Sequence, residues 1–376
     1  MKNHKRAWAE INLSRLENNI NTIKSHISTH TDIMAVVKAD AYGHGEKEIL
    51  KKLNEIGIKY FAVSNLDEAI SIRKTCENHE ILILGYTPPE YADEIVNNKI
   101  LQCIVSKEYA ERLSEATDQP VRCHIKIDTG MGRIGLKHDT ASECCDEIEE
   151  ILKYKNLIID GIFTHFAVAD SDIAENISYT KKQADFIKKV YSELNNRGIP
   201  LKHVHFLNSA GAAYHCDSTS TLARIGITMY GLYPNYPLPL PYEIEPVMEF
   251  KAVISDVKTV KPGDSISYGR TYTADKAVKV ATVTVGYADG YSRLLSSKGQ
   301  VIVKGRRCDI TGRVCMDQMM IDVSAIDDVR EGDTVTLIGT DGKETITADE
   351  LASWYGTIGY EVVCGISKRV PRVYID

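Results

Sequence analysis

From residue 33 to residue 227 the sequence repeats one pattern: a short apolar run, then a stretch with helical spacing. That repetition limits the fold more than any other feature. The strand-like runs are Ile33–Val37, Tyr60–Val63, Ile81–Leu84, Cys103–Val105, Val121–Ile127, Leu157–Phe163, His203–Leu207 and Leu222–Ile227. Between them lie helical patterns such as Leu66–Arg73 and Tyr179–Leu194. Near-continuous apolar runs suit strands covered on both faces, and parallel strands need a crossover such as a helix. Eight such units predict an α/β fold, a parallel (β/α)8 TIM barrel. Ahead of it, Trp8–Leu13 alternates as a strand, and Ser14-Arg15-Leu16-Glu17 offers an N-cap and a capping-box glutamate for a helix to Ile27.

The rhythm stops at Tyr233–Pro241, where prolines at 234, 237, 239 and 241 read as a linker. Beyond it come β-rich runs at Val247–Val260, Val278–Val285, Gln300–Val303, Met319–Val323 and Thr334–Ile338, with one helix near Ala348–Tyr355. The expected division is therefore a barrel over 1–240 and a mostly-β domain over 241–376. Chain length allows both.

Charge and cysteines narrow the setting. With 45 basic and 52 acidic residues the net charge is −7, which argues against a nucleic-acid surface. Nine cysteines include no CxxC pair, and Cys144-Cys145 are adjacent, so a reduced, cytoplasmic protein is expected. Met1–Arg6 is basic but leads into Ala-Trp-Ala-Glu-Ile-Asn rather than an apolar stretch, so no signal peptide is expected. No apolar run approaches the roughly 20 residues of a membrane span.

In a parallel barrel the chemistry gathers at the C-terminal ends of the strands, with a phosphate site after the seventh and eighth. Lys38 stands at the first such end, in Val37-Lys38-Ala39-Asp40-Ala41-Tyr42-Gly43-His44-Gly45. By position it is either a snorkelling surface lysine or an amine projecting from a low-dielectric wall, where its pKa falls and it can form a Schiff base. The fifth strand ends in Lys126–Gly135, whose glycines admit a close backbone approach and whose Arg133 can reach the barrel mouth. His165 ends the sixth as a structural imidazole or one that stacks on an aromatic cofactor. Asn208-Ser209-Ala210-Gly211 follows the seventh. There a helix N-cap alone explains Ser209, although backbone N–H groups beside a hydroxyl also cradle phosphate. Arg224-Ile225-Gly226-Ile227 ends the eighth, where Arg224 makes a barrel-end salt bridge or donates to a ligand. None of the 11 histidines sits in an HExxH or cysteine-rich cluster, so no metal is assigned.

These motifs, with Ser267-Tyr268-Gly269, Gly286–Gly290, Gly312–Asp317 and Tyr360-Glu361, resemble the alanine racemases over nearly the whole length. The resemblance implies a barrel that binds pyridoxal 5'-phosphate (PLP), a β domain that also takes in residues 1–12 as a strand, and a head-to-tail homodimer with shared sites. It implies that Lys38 carries the cofactor and serves one face of the amino acid, and that Tyr268 of the partner subunit serves the other, with His165 and Arg224 as catalytic neighbours. Tyr42, Asn208, Ser209, Gly226, Ile227 and Tyr360 would hold the cofactor. Arg133 and the Met316 backbone would hold the substrate carboxylate, with Lys126 orienting Arg133 where it is carbamylated. Asp170, Tyr287, Arg293, Arg313 and Ile358 would line the entrance. The implied activity is interconversion of L- and D-alanine for peptidoglycan. Two alternatives stand beside it: a racemase for serine or other small amino acids, of the vancomycin-resistance type, and a non-catalytic PLP carrier. Tyr268 and the second domain weigh against a carrier. Gly359 departs from the larger polar residue common in the family and could loosen the segment before Tyr360.

Overall fold

The computed structural model describes residues 6–376. Residues 1–5, most of the basic N-terminal stretch and the start of the 1–12 segment, lie outside the described residues. The first strand, β1 (Ala7–Asn12), runs directly into a helix over Leu13–His26. The N-cap is Asn12, whose side chain accepts from Arg15 N at 2.8 Å, and the expected cap Ser14 lies inside the first turn. Asn12 N still bonds Val247 O at 2.9 Å, so the strand ends and the helix begins at one residue. Leu16, Ile20 and Ile23, spaced for one helical face, are buried.

Eight strands then form the barrel: β2 (Asp32–Val36), β3 (Tyr60–Val63), β4 (Glu80–Ile83), β5 (Leu101–Ile104), β6 (Val121–Lys126), β7 (Leu157–Phe163), β8 (His203–His205) and β9 (Leu222–Ile225). They pair in parallel in the order β8-β7-β6-β5-β4-β3-β2-β9. A bridge between Leu207 and Ala223, with Thr221 N on Val204 O (2.8 Å) and Arg224 N on Leu207 O (2.9 Å), closes the ring. Consecutive residues of β2 from Ile33 to Val36 are buried, the pattern of a strand covered on both faces. The (β/α)8 expectation therefore holds. Two strands stop two residues earlier than expected: β8 ends at His205, with Leu207 pairing beyond it only through the closing bridge, and β9 ends at Ile225 before a short turn of helix at Ile227–Tyr230.

The rest is mostly strand: β10 (Met248–Val260), β11 (Ser265–Ile266), β12 (Tyr272–Thr273), β13 (Val278–Val283), β14 (Gln300–Val303), β15 (Arg306–Asp309), β16 (Met319–Asp322), β17 (Thr334–Asp341), β18 (Glu344–Ile346) and β19 (Arg372–Ile375). Short helices lie at Ala348–Tyr355 and Gly359–Gly365. The main sheet runs β15-β14-β17-β10-β1-β19, so β1 sits between β10, antiparallel, and β19, parallel. Chain start and chain end thus share a sheet beside the barrel, and the final segment reaches back to the loop that follows β2.

Candidate active site

That loop has an unusual backbone. After Lys38, residues Ala39, Asp40, Ala41 and Tyr42 all have φ between 53° and 57°, one turn of left-handed helix, and Gly43 follows at 79°. For L-residues this conformation costs about 1–2 kcal/mol each. Tertiary contacts offset the cost. Glu68 accepts from Ala39 N and Ser64 N, each at 2.8 Å; Asp40 Oδ1 accepts from Glu46 N; Arg372 Nε donates to Gly43 O at 2.9 Å. His44 Nδ1 bonds Ala41 O and Tyr42 O, both at 3.0 Å, and its ring stacks on Tyr230. Gly43 is required because a Cβ there would lie 2.3 Å from Val363 O. Lys38 is thereby held at the rim of a cavity of about 390 Å³, lined also by Tyr42, His165, Asn208, Ser209, Arg224, Gly226, Ile227 and Tyr360. Burial, and then the nearby Arg133, lower the pKa of its amine.

The loops after β8 and β9 build one end of this cavity. Asn208, not Ser209, caps the following helix by accepting from Gly211 N at 2.7 Å, which corrects the capping expectation for Ser209. Ser209 Oγ instead accepts from Gly226 N at 3.0 Å and faces the cavity. A Cβ on Gly226 would stand 2.8 Å from Tyr42 Oη, so the glycine lets that hydroxyl approach the same turn. Hydroxyls and backbone N–H groups converge there without a cationic side chain, a setting that suits a phosphate.

At the floor Arg224 is buried without a carboxylate partner. Nη1 donates to His205 O (3.0 Å) and His205 Nδ1 (2.9 Å); Nη2 donates to Thr164 O (2.6 Å) and His165 Nδ1 (3.4 Å). This replaces the salt-bridge alternative. Because guanidinium only donates, His205 Nδ1 must accept, so His205 Nε2 carries the proton that it gives to His124 Nδ1 at 2.8 Å. His124 Nε2, left as N–H, has no partner. Burial, then Arg224, keep His165 and His205 far below the usual imidazole range, and burial pushes His124 down to about 3. The hydrogen-bond partners of this cation are all neutral. His205 and His124 were missed in the sequence, where a polar residue at every second place of an apolar barrel strand was the available signal.

Other expected residues lie near the cavity or away from it. Arg133 is exposed, yet its charge lowers the pKa of Lys38, Lys126 and Arg224, so it stands at the mouth. Lys126 is buried, donates to Ile127 O at 3.0 Å and lies over the Phe163 ring; burial brings its pKa down to about 8. Asp170, Ile358 and Tyr360 meet in an adjoining cavity of about 310 Å³ with the linker residues Tyr233–Tyr236. Tyr268, Met316, Tyr287, Arg293 and Arg313 line neither cavity. Most of them gather in an exposed patch on the β domain: Ser267 Oγ donates to Arg313 O, Gly269 packs under the Arg313 guanidinium, and Tyr287 N and Ala288 N donate to Cys315 O and Met316 O. Tyr268 is 71 % exposed.

Residues 11–234 match the family described as Alanine racemase, N-terminal domain, and residues 247–374 match Alanine racemase, C-terminal domain. The chain belongs to the alanine racemase family. An alanine racemase of Carboxydothermus hydrogenoformans is 41 % identical over 373 residues, covering 98 % of this chain and 99 % of that protein. The crystal structure of an alanine racemase from Bacillus anthracis with bound L-Ala-P superposes with a TM-score of 0.92 at 37 % identity, covering 100 % and 96 % of the two chains. A histidine racemase from Leuconostoc mesenteroides is similar at 29 % identity and a TM-score of 0.88, covering 100 % and 99 %. As a member of the alanine racemase family the protein is a racemase enzyme. Among the described residues no helix is long and apolar enough to cross a membrane, and no cluster of His, Cys, Asp and Glu could hold a metal ion.

Proposed function

We propose that the protein interconverts L- and D-alanine with PLP as cofactor, that it acts as a homodimer in the cytoplasm, and that its product feeds peptidoglycan. The observation that carries this reading is the buried cation Arg224, hydrogen-bonded only to neutral groups and in one cavity with Lys38. The residues fit the cofactor. Ser209, the Gly226–Ile227 backbone, Tyr42 and Tyr360 would hold its phosphate, Arg224 its ring nitrogen, and Lys38 its aldehyde carbon. When bound, PLP supplies the electron sink that makes an amino acid's α-proton removable.

Arg224 can only donate, so it offers the ring nitrogen a hydrogen bond and no readily lost proton. Lys38, with its lowered pKa, takes or returns the α-proton on one face. Tyr268 of a second copy serves the other face, and its exposure here is what a residue completed by dimerisation requires. Arg133 binds the substrate carboxylate. Lys126 at about 8 has roughly a tenth of its amine unprotonated at neutral pH, the form that reacts with carbon dioxide, and the resulting carbamate would pair with Arg133. Tyr360 limits the substrate side chain.

The test is kcat/KM of the purified holoenzyme for L-alanine, L-serine and L-histidine, with histidine included because of the similar histidine racemase. Alanine should lead, with some activity on serine. A preference for serine or histidine would overturn the substrate assignment, and a protein that binds PLP without turnover would revive the carrier reading.

A further inference from the structure

Tyr360 rides on the short helix Gly359–Gly365, and a carboxylate from another element packs against the first residue of that helix. Asp349, on the helix Ala348–Tyr355, is buried, and its carboxylate packs against the backbone of Gly359 and lines one cavity with Tyr233–Tyr236. One side chain thus stands against both the linker and the helix of Tyr360. The fit is close: a Cβ on Gly359 would lie 2.1 Å from Asp349 Oδ1 and 2.9 Å from Leu232 Cδ2. A carboxylate in this place excludes any side chain at 359. Asp349 also stands between the entrance cavity and a separate cavity of about 320 Å³ lined by Leu232, Ile244, Ile346 and Val363, so a displaced carboxylate has space to enter.

We infer that Asp349, reaching the glycine at 359, is a positioning residue that sets where Tyr360 stands and hence how large a substrate side chain the site accepts. The inference rests on the proposed role of Tyr360 and adds to it the residue that fixes its place. Gly359 is then a requirement of the latch rather than a loosening of the segment. Its absent side chain is what lets the carboxylate come this close to the backbone.

The test is a double-mutant cycle with Gly359→Ala and Asp349→Ala. It reads the serine-to-alanine ratio of kcat/KM and, without turnover, the PLP affinity of the apoprotein by quenching of Trp354, which shares a helix with Asp349. Each single change should raise the ratio by about tenfold, the lower end for a methylene-sized change in a pocket, and weaken PLP by a similar factor. In the Asp349→Ala background the oxygen that the new Cβ would meet is gone, so adding Gly359→Ala should change either readout less than about twofold. Singles without effect, or effects that multiply in the double mutant, overturn the inference. Asp349→Asn keeps the shape and one acceptor, so it keeps a folded variant in hand: a partial shift supports the latch, and wild-type values reject it. Failure of wild type to racemise alanine would count against the functional reading, whereas independent PLP affinities at 349 and 359 would count against this inference alone.

Discussion

Mixing two inactive variants tests whether each active site is shared between two chains. Lys38 lies in the cavity, whereas Tyr268 lies 71 % exposed on the β domain and lines no part of it. Lys38→Ala removes the amine. Tyr268→Phe should cost about 10²–10⁴-fold in rate while leaving PLP bound. In a two-fold dimer with shared sites, a heterodimer of these variants has one site with both bases intact and one with neither. Random exchange of equal amounts makes about half of the dimers heterodimers, so the mixture should recover roughly a quarter of wild-type activity. The assay is D-alanine formation before and after subunit exchange, with exchange verified by native mass spectrometry. Exchanged dimers no more active than their parents would mean that the site is built from one chain. Near-full activity of Tyr268→Phe alone would remove the tyrosine from the mechanism.

Borohydride reduction of the holoenzyme should fix PLP to Lys38, and peptide mapping that finds it on Lys126 instead would reject the assignment. Tyr360→Asn should shift kcat/KM from alanine toward serine, and an unchanged ratio would free Tyr360 from the specificity role. Stability should fall with acid through His44: burial pushes its pKa down to about 4, and Nδ1 bonds two carbonyls while Nε2 is buried without a partner. Below the unfolded value near 6.5 the unfolded chain binds the proton first, so stability is lost as pH falls from about 6.5 to about 4, by about 2.5 kcal/mol at pH 4.5. Urea melts of wild type and His44→Phe at pH 7 and pH 4.5 check this, since the variant should lack that share of the slope.

The barrel was legible because its strands are buried on both faces, so each reads as a short apolar run regardless of register. The expected C-terminal strands lie close to those observed for a different reason: in β10 Met248, Phe250, Ala252 and Ile254 are buried and the residues between them are not, the alternation of a strand with one covered face. The first helix cap was misread because Asn12 and Ser14 are both good caps. Local sequence does not rank them, and the pairing of β1 with β10 decides where the strand stops. β19 was not read at all. Val373, Tyr374 and Ile375 between Pro371 and Asp376 favour a strand, but nothing local shows that its neighbour is β1, at the far end of the chain.

The candidate site divides along the same line. Residues at strand ends could be found from barrel geometry: Lys38, His165 and Arg224 were placed by where a strand stops. What holds them could not. Ala39, Asp40, Ala41 and Tyr42 have no shared preference for the left-handed region, and only Gly43 hints at it. The turn exists because Glu68 takes the Ala39 N–H, Arg372 takes the Gly43 carbonyl, and Tyr374 donates to His44 O. Two of those three groups lie in the last five residues of the chain, on the strand β19, whose place beside β1 no local pattern disclosed. The lysine is therefore presented by a segment that local preference opposes and distant contacts impose. Loss of the Arg372 guanidinium should relax that turn while leaving the barrel strands intact.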